Sequence, residues 1–98
     1  MRGLRAAKER AVKAALLREL AARGVDPGEV AEWLWEDYGI RVKPVWREVE
    51  RAILRNEDVT PQDLAVFMMD RGIEPDEGAW DAEPRPALRG GKDGGKSG

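Results

Sequence analysis

The stretch VDPGEVAEWLWEDYGI, residues 25–40, decides the fold of this chain. It begins with a complete helix signal: Asp26 as N-cap, Pro27 at the first helical position and Glu29 where a capping box places its acid. Gly39 ends the predicted helix, because glycine readily adopts the left-handed conformation that closes a helix. The sequence therefore predicts a helix from Pro27 up to this glycine.

The apolar residues of this helix cover an arc wider than a single amphipathic stripe. They are Val30, Ala31, Trp33, Leu34, Trp35 and Tyr38. Trp33 and Trp35 are two positions apart, so they point about 200° apart around the helix axis. Either the helix is central and packs on two sides, or part of the aromatic surface is left for a partner. We expect the central position.

A degenerate copy of the stretch returns 34 residues later. The pairs are Val25 and Val59, Pro27 and Pro61, Glu29 and Asp63, Val30 and Leu64, Ala31 and Ala65, Trp33 and Phe67, Leu34 and Met68, Trp35 and Met69, and Glu36 and Asp70. Thr60 supplies the N-cap of this second helix and Gly72 its end. The period is that of tetratricopeptide arrays, but their signature residues are missing and two copies are fewer than the about three that such arrays need. The alternative to a duplication is a shared capping and packing solution.

Two further helices complete the pattern. Leu4 to Arg23 are rich in strong helix formers, with an apolar stripe along one side. Pro44 is expected to open the other helix, which runs to about Arg55 and carries an apolar row of its own. This predicts an all-α fold, a compact orthogonal bundle of four helices in two consecutive hairpins. Residues 1–83 form this domain, with Trp80 folding back onto it, and residues 84–98 are expected to be a disordered tail rich in glycine and lysine.

Composition excludes several kinds of chemistry. The 98 residues include no cysteine and no histidine, so thiolate metal sites, disulfides and imidazole-assisted nucleophiles are excluded. No apolar run approaches the about 18 residues that a membrane span needs, and no signal peptide is evident, so we expect a cytoplasmic protein. The net charge of −2 hides alternating blocks, from +5 in residues 1–23 to −8 in residues 56–83.

A basic row marks the predicted third helix. Arg47, Arg51 and Arg55 repeat every four residues, about 200° from the apolar row, and Arg41 and Lys43 precede them. Residues 28–56 resemble the helix-turn-helix units of transposase-like and phage regulatory proteins, which read DNA through such a helix. The row is therefore a candidate nucleic-acid site.

The alternative for the basic row is a solvated helix face. Glu48 and Glu50 are spaced to pair with Arg51 and Arg47, and no asparagine or glutamine lies on that face. The same choice applies to the first helix, whose basic residues are candidates for contacts with phosphate or anionic lipid. These are Arg5, Lys8, Arg10 and Lys13.

Scattered matches suggest a family. They are Arg23-Gly24-Val25 after a leucine-rich helix, Val30-Ala31-Glu32, Val49-Glu50, Ile53-Leu54, Val59 and Asp70. Residues 16–70 thereby resemble the amino-terminal helical segment of the phosphatidylglycerophosphatase A-like proteins of Firmicutes. The chain departs from the family at residues 56–59, which read NEDV in place of a Lys-Arg-Glu-Val run. The resemblance implies a helical fold and no catalytic residues; since the rest of those proteins has no counterpart here, the phosphatase is expected to be truncated and inactive.

A third interpretation is a module for protein interaction or homodimer formation. Its candidate residues are Trp33, Trp35, Phe67, Met68 and Met69. Aromatic residues and methionine are enriched at interface centres, although the bundle core is the alternative place for them. Taken together, the sequence predicts a small, non-enzymatic binding or regulatory module without cofactor, metal or small-molecule substrate, with DNA preferred narrowly over a protein partner.

Overall fold

The computed structural model describes residues 2–83, with side chains from residue 6 onwards. The helices are α1 (Arg2–Ala22), α2 (Pro27–Tyr38), α3 (Trp46–Arg55) and α4 (Pro61–Asp70), followed by a 3₁₀ turn (Glu77–Asp81). Within this range the fold contains no strand, so the predicted all-α bundle of four helices is confirmed. The tail predicted for residues 84–98 lies outside the described residues.

The local start and stop signals act largely as the sequence predicts. The side chain of Asp26 accepts a hydrogen bond from the Gly28 N–H at 3.1 Å, and Thr60 forms a complete capping box with Asp63. Gly39 and Gly72 close α2 and α4 with φ of 69° and 76°, conformations that glycine adopts without strain. These signals place both repeat helices correctly.

The centre of the bundle is α1, although we expected it to be α2. α1 packs against α3, α4 and the 3₁₀ turn, whereas the main neighbour of α2 is α3. With 21 residues, α1 is about 32 Å long, twice the length of α3 or α4, so it can lie across both. The main helix contacts therefore join α1 to the second helix pair; they do not fall within the two consecutive hairpins.

The core accounts for the apolar pattern of each helix. Its buried members are Val12, Leu16, Leu17, Leu20, Val30, Leu34, Val49, Ile53, Val59, Leu64, Phe67, Met68, Ile73 and Ala79. Ala79 lies in the 3₁₀ turn, and the adjacent Trp80 packs against the same core, as the sequence predicts. The last described segment is thereby held on α1.

The repeat in sequence is also a repeat of environments. Leu34 and its counterpart Met68 are fully buried. Trp33 and its counterpart Phe67 contact each other, with ring centroids 4.8 Å apart. α2 and α4 thus meet through equivalent positions. Trp35 and its counterpart Met69 are both about half exposed.

The start of α3 differs from the prediction by two residues. Pro44 precedes the helix, and the Val45 N–H donates to the Lys43 carbonyl at 2.8 Å across it. Such a three-residue turn suits the fixed φ of proline. The helix then begins at Trp46, so the connection from α2 comprises residues 39–45. This connection is longer than the three to four residues of a helix-turn-helix.

Lys13 holds α3 from the inside of the bundle. Its Nζ donates to the backbone carbonyls of Ile53 at 2.6 Å, Asn56 at 3.0 Å and Val59 at 2.8 Å. The side chain is only 3% exposed, so the sequence interpretation of Lys13 as a solvated or phosphate-binding group is wrong. It satisfies carbonyls at the C-terminal end of α3, where a cation also complements the helix dipole.

Burial is the main influence on the charge of Lys13 and lowers the pKa of its ammonium group. The Glu9 and Glu57 carboxylates act in the opposite direction, while Arg10 adds to the lowering. The three carbonyl contacts use all three N–H donors of the charged form. Lys13 therefore joins the middle of α1 to the corner between α3 and α4.

Candidate nucleic-acid interface

The basic residues of α3 lie on the face opposite the one that packs in the core. Val49 and Ile53 are fully buried, and a row offset from them by two positions points about 200° away. Arg47, Arg51 and Arg55 form that row and are exposed. Successive arginines rise about 6 Å along the helix axis. The structure thus places them on one solvent-facing side.

The connection before α3 adds further cations to this surface. Arg41 and Lys43 line a groove of about 360 Å³ together with Arg51 and Arg55 of α3. We call this the loop-side groove; its complete lining is Arg41, Val42, Lys43, Glu48, Arg51, Ala52 and Arg55. Arg47 is exposed but does not line it. Four of the five predicted cations therefore share one groove.

These cations have no acidic partner among the side chains of residues 6–83. The ion pairs found there are Lys8 with Glu83 and Arg71 with Glu29. The pairs anticipated within α3, between Glu48 and Arg51 and between Glu50 and Arg47, do not form within 4.0 Å. Glu48 nevertheless lines the loop-side groove and reduces its positive potential.

A second groove lies on the other side of α3, against α1. Arg10 and Arg18 of α1 line it together with Leu54 of α3, and it also has a volume of about 360 Å³. The remaining lining residues are Ala7, Ala11, Ala14, Ala82 and Glu83. The basic surface thus extends from the loop across α3 onto α1, with both arginines exposed.

The sequence analysis did not connect Arg10 and Arg18 with α3. A usable signal exists: alanines at positions 7, 11 and 14 follow helical spacing beside the arginines. Small side chains leave a shallow strip at which a neighbouring helix or ligand can approach. Only the packing of α1 on α3 shows which helix borders this strip.

Trp35 marks the end of the basic surface on α2. It is half exposed. The Arg41 guanidinium lies over its ring, with Cζ 4.7 Å from the centroid, a cation–π arrangement. The sequence favoured a central helix that packs on two sides; the exposure of Trp35 instead matches the alternative, in which part of the aromatic surface is left in solvent.

The predicted protein-interaction set divides into core and surface. Phe67 and Met68 are buried, with 2% and 0% exposure, and Trp33 is partly buried against the core. The burial of Phe67 and Met68 contradicts their assignment to an interaction surface. Trp35 and Met69 remain, with 50% and 54% exposure.

The contact between α2 and α4 has the opposite charge. The Tyr38 hydroxyl donates to Asp63 Oδ2 at 2.7 Å, and the Thr60 N–H donates to the same oxygen at 3.3 Å. Tyr38 and Asp63 line a groove of about 200 Å³, whose other charged residues are Asp37, Asp70 and Arg71. The acidic side of the molecule therefore lies between the two repeat helices.

Two pKa shifts follow from this contact. Desolvation is the main cause that raises the pKa of Tyr38 well above its usual range, and the hydrogen bond to Asp63 adds to it. For Asp63, partial burial acts to raise the pKa, but the hydrogen bonds from Tyr38 and Thr60 hold it below its usual range. The carboxylate and the neutral phenol therefore stabilise each other.

Other kinds of site find no support among the described residues. Within residues 2–83 no three acidic side chains converge on a point where a metal ion could be held. In the same range, no helix has the length and apolar character that crossing a bilayer requires.

No protein-family model, no curated protein and no solved structure matches this chain. The resemblance of residues 16–70 to the phosphatidylglycerophosphatase A-like proteins therefore stays a prediction. The functional argument rests on the residues and their geometry.

Proposed function

We propose that this chain binds nucleic acid, with DNA as the first choice, through the basic face of α3 and the loop before it. The observation that carries the proposal is the loop-side groove: four cations converge on it, and none has an acidic partner within 4.0 Å among residues 6–83. A cation that stabilised the fold would be expected to contact a carboxylate or a carbonyl, as Lys13 does.

The chemistry of the groove suits phosphate. Arginine presents a planar fork of N–H donors that matches phosphate oxygens two at a time. Arg41 and Arg51 reach the groove from the loop and from α3, so one phosphate can be approached from two sides. Arg10 and Arg18 supply further cations at the groove beside α1. The expected mode is recognition of the sugar–phosphate backbone.

Base-specific reading is a smaller part of this proposal. The outward face of α3 carries no asparagine or glutamine, the side chains that pair with adenine. The connection of residues 39–45 also exceeds the turn of a standard helix-turn-helix. We therefore expect weak discrimination among sequences and strong dependence of affinity on salt.

The test is a charge reversal with a matched control. Arg51→Glu removes a groove cation, whereas Arg23→Glu makes the same change at an exposed position that lines neither groove. Affinity for a short mixed-sequence DNA duplex is measured by fluorescence anisotropy over a series of salt concentrations. We expect Arg51→Glu to weaken binding about tenfold and to lower the slope of log affinity against log salt by roughly 0.9 or more. Absence of binding at low salt to both the duplex and its separated single strand, or equal losses in both variants, would overturn the proposal.

A protein partner is the second candidate, and the exposure of Trp35 and Met69 favours it. They are counterparts in the repeat, and each leaves about half of its surface in solvent. If the chain forms a dimer in sedimentation experiments and either Trp35→Ala or Met69→Ala dissociates it, this second function gains support. A monomer at all concentrations tested argues against the homodimer.

A further inference from the structure

We infer that the nucleic acid bound by this protein presents an unpaired base, which stacks on Trp35. The inference rests on the proposed function, because it assigns a ligand class to the same basic surface. It starts from a large aromatic residue that the core does not bury: Trp35 is half exposed.

The position of Trp35 on α2 directs it toward the basic loop. Trp35 lies about 100° around the helix from the buried Leu34. Glu32 and Glu36 lie a further 60° to 100° round and are exposed. Trp35 therefore occupies the boundary between the core-facing side of α2 and its acidic outer side, next to the loop that supplies Arg41.

Arg41 connects this ring to the phosphate-binding groove. Its Cζ lies 4.7 Å from the Trp35 centroid, and the same side chain lines the loop-side groove with Lys43 and Arg51. A strand whose phosphates occupy the groove would thus pass beside an aromatic ring. The ring offers an exposed surface for stacking, and Arg41 is placed to contact the adjoining phosphate.

An aromatic ring beside a basic groove favours a single-stranded nucleic acid over a duplex. In a duplex the bases are stacked inside the helix and cannot reach a side chain at the edge of a basic groove. An unpaired base has free faces, and its stacking on an aromatic side chain is tolerant of sequence. Basic grooves with aromatic platforms are the common solution for binding single strands.

The charge of the neighbouring groove favours nucleic acid over a protein as the occupant of Trp35. A protein partner covering this ring would also cover Arg41 and the adjacent cations, and it would need several carboxylates placed against them. A nucleic-acid strand supplies one phosphate with every base, so charge and stacking surface arrive together. The protein partner remains an outcome that the test distinguishes.

The experiment compares two ligands and three variants of the full chain. The ligands are a mixed-sequence single-stranded oligonucleotide and the duplex formed by the same sequence, at low salt. Trp35→Ala removes the ring, Trp35→Phe keeps an aromatic face, and Met69→Ala is the matched control because Met69 has the same exposure at the equivalent position of α4. Circular dichroism checks that each variant keeps its helices.

We expect the unmodified chain to bind the single strand more tightly than the duplex. Trp35→Ala should weaken single-strand binding by about 5- to 150-fold, the range for loss of one stacked base. It should leave duplex binding unchanged, while Trp35→Phe retains most of the affinity and Met69→Ala retains all of it.

The contrary outcomes are distinct. If both ligands bind and Trp35→Ala changes neither affinity, or both equally, the stacking inference fails while the proposed function stands. If neither ligand binds, both fail. If Trp35→Ala dissociates a dimer and leaves single-strand binding intact, Trp35 belongs to a protein interface and the inference is overturned.

Discussion

Lys13 contacts α3 from the inside of the bundle, whereas Arg51 lies on the outer face of α3, and the two positive charges have different surroundings. Lys13 is buried and donates to three carbonyls at the end of the helix. Arg51 is exposed, lines a groove with other cations and makes no ion pair with the described side chains. A cation in this bundle is structural where it contacts backbone carbonyls at the end of a helix, and it is a candidate for ligand binding where it faces solvent.

The aromatic residues of α2 show the same contrast. Trp33 contacts Tyr38 and Phe67, with centroid distances of 5.2 Å and 4.8 Å, whereas the aromatic face of Trp35 meets Arg41. Two positions in sequence separate a packing residue from a surface residue. Residue type alone therefore did not show which tryptophan lies at the surface.

The largest effect is expected when Lys13, the cation inside the bundle, is removed. Lys13→Met removes the ammonium group that donates to the carbonyls of Ile53, Asn56 and Val59. We expect a loss of about 4 kcal/mol in the free energy of unfolding, because each of the three hydrogen bonds from the charged group contributes on the order of 1.5 kcal/mol. Urea denaturation followed by circular dichroism measures it, with the exposed Arg10→Met as control. A loss below about 1 kcal/mol would contradict the structural role of Lys13.

The second prediction compares a buried and an exposed member of the predicted protein-interaction set, Phe67 and Met69. Phe67→Ala removes a buried ring that contacts Trp33 and lies 3.7 Å from Arg71 Cζ. It should cost about 3 kcal/mol, since a large core side chain leaves a cavity. Met69→Ala changes an exposed side chain on the same helix and should stay within about 0.5 kcal/mol. Thermal and urea denaturation of both variants test this, and equal losses would contradict the division into core and surface.

The third prediction concerns the acidic contact between α2 and α4. Tyr38→Phe removes the hydroxyl that donates to Asp63, and we expect a loss of about 1.5 kcal/mol at pH 7 because the acceptor is charged. The folded-state pKa of Asp63 is depressed, so its stabilisation is full above about pH 4 and is lost as the pH falls through the folded value. The difference between the two proteins should therefore shrink at pH 3.

The Tyr38 phenol has the opposite pH dependence to Asp63: its contribution to stability is lost as the pH rises. The pKa of Tyr38 is raised in the folded state, so the stability it contributes is present below about pH 10 and is lost as the pH rises further. Urea denaturation at pH 3, 7 and 10.5 gives the full profile. A difference between Tyr38→Phe and the unmodified chain that stays constant over this range would contradict the assigned hydrogen bond.

The smallest change in stability is expected at Arg51, the exposed cation of the comparison. Arg51→Gln removes an exposed charge that contacts no described acid, so the free energy of unfolding should shift by no more than about 0.5 kcal/mol. DNA affinity should nevertheless fall, since the same side chain lines the loop-side groove. The measurement pairs urea denaturation with anisotropy. A large loss of stability would place Arg51 with Lys13 among the structural cations.

Local signals predicted the repeat helices well. Asp26, Thr60, Gly39 and Gly72 act through hydrogen bonds and backbone conformations within a few residues, so their effect is readable from sequence. Pro44 misled the prediction because proline suits both a first helical turn and the short turn found here. The signals that begin and end a helix act over a few residues, so an error such as the one at Pro44 shifts a helix end without changing the fold.

The arrangement of the helices was less accessible, because it depends on contacts between distant residues. The central position of α1 depends on its length relative to α3 and α4 and on what its stripe meets. Lys13 did carry a signal: it precedes Leu17 and Leu20 by four and seven positions, on the same face as these buried residues. The five basic residues were predicted to share an outward surface, but the grooves on either side of α3 require the packed structure.

The contact at Lys13 has a consequence for hydrogen exchange. It joins the middle of α1 to carbonyls 40 to 46 residues further along the chain, so the end of α3 and the corner before α4 cannot detach without also releasing a buried ammonium group. Fraying from that end of α3 is thereby coupled to the opening of α1. The amide protons of these three segments should exchange with solvent as one cooperative unit, and the surface that carries the arginines stays attached to a rigid support.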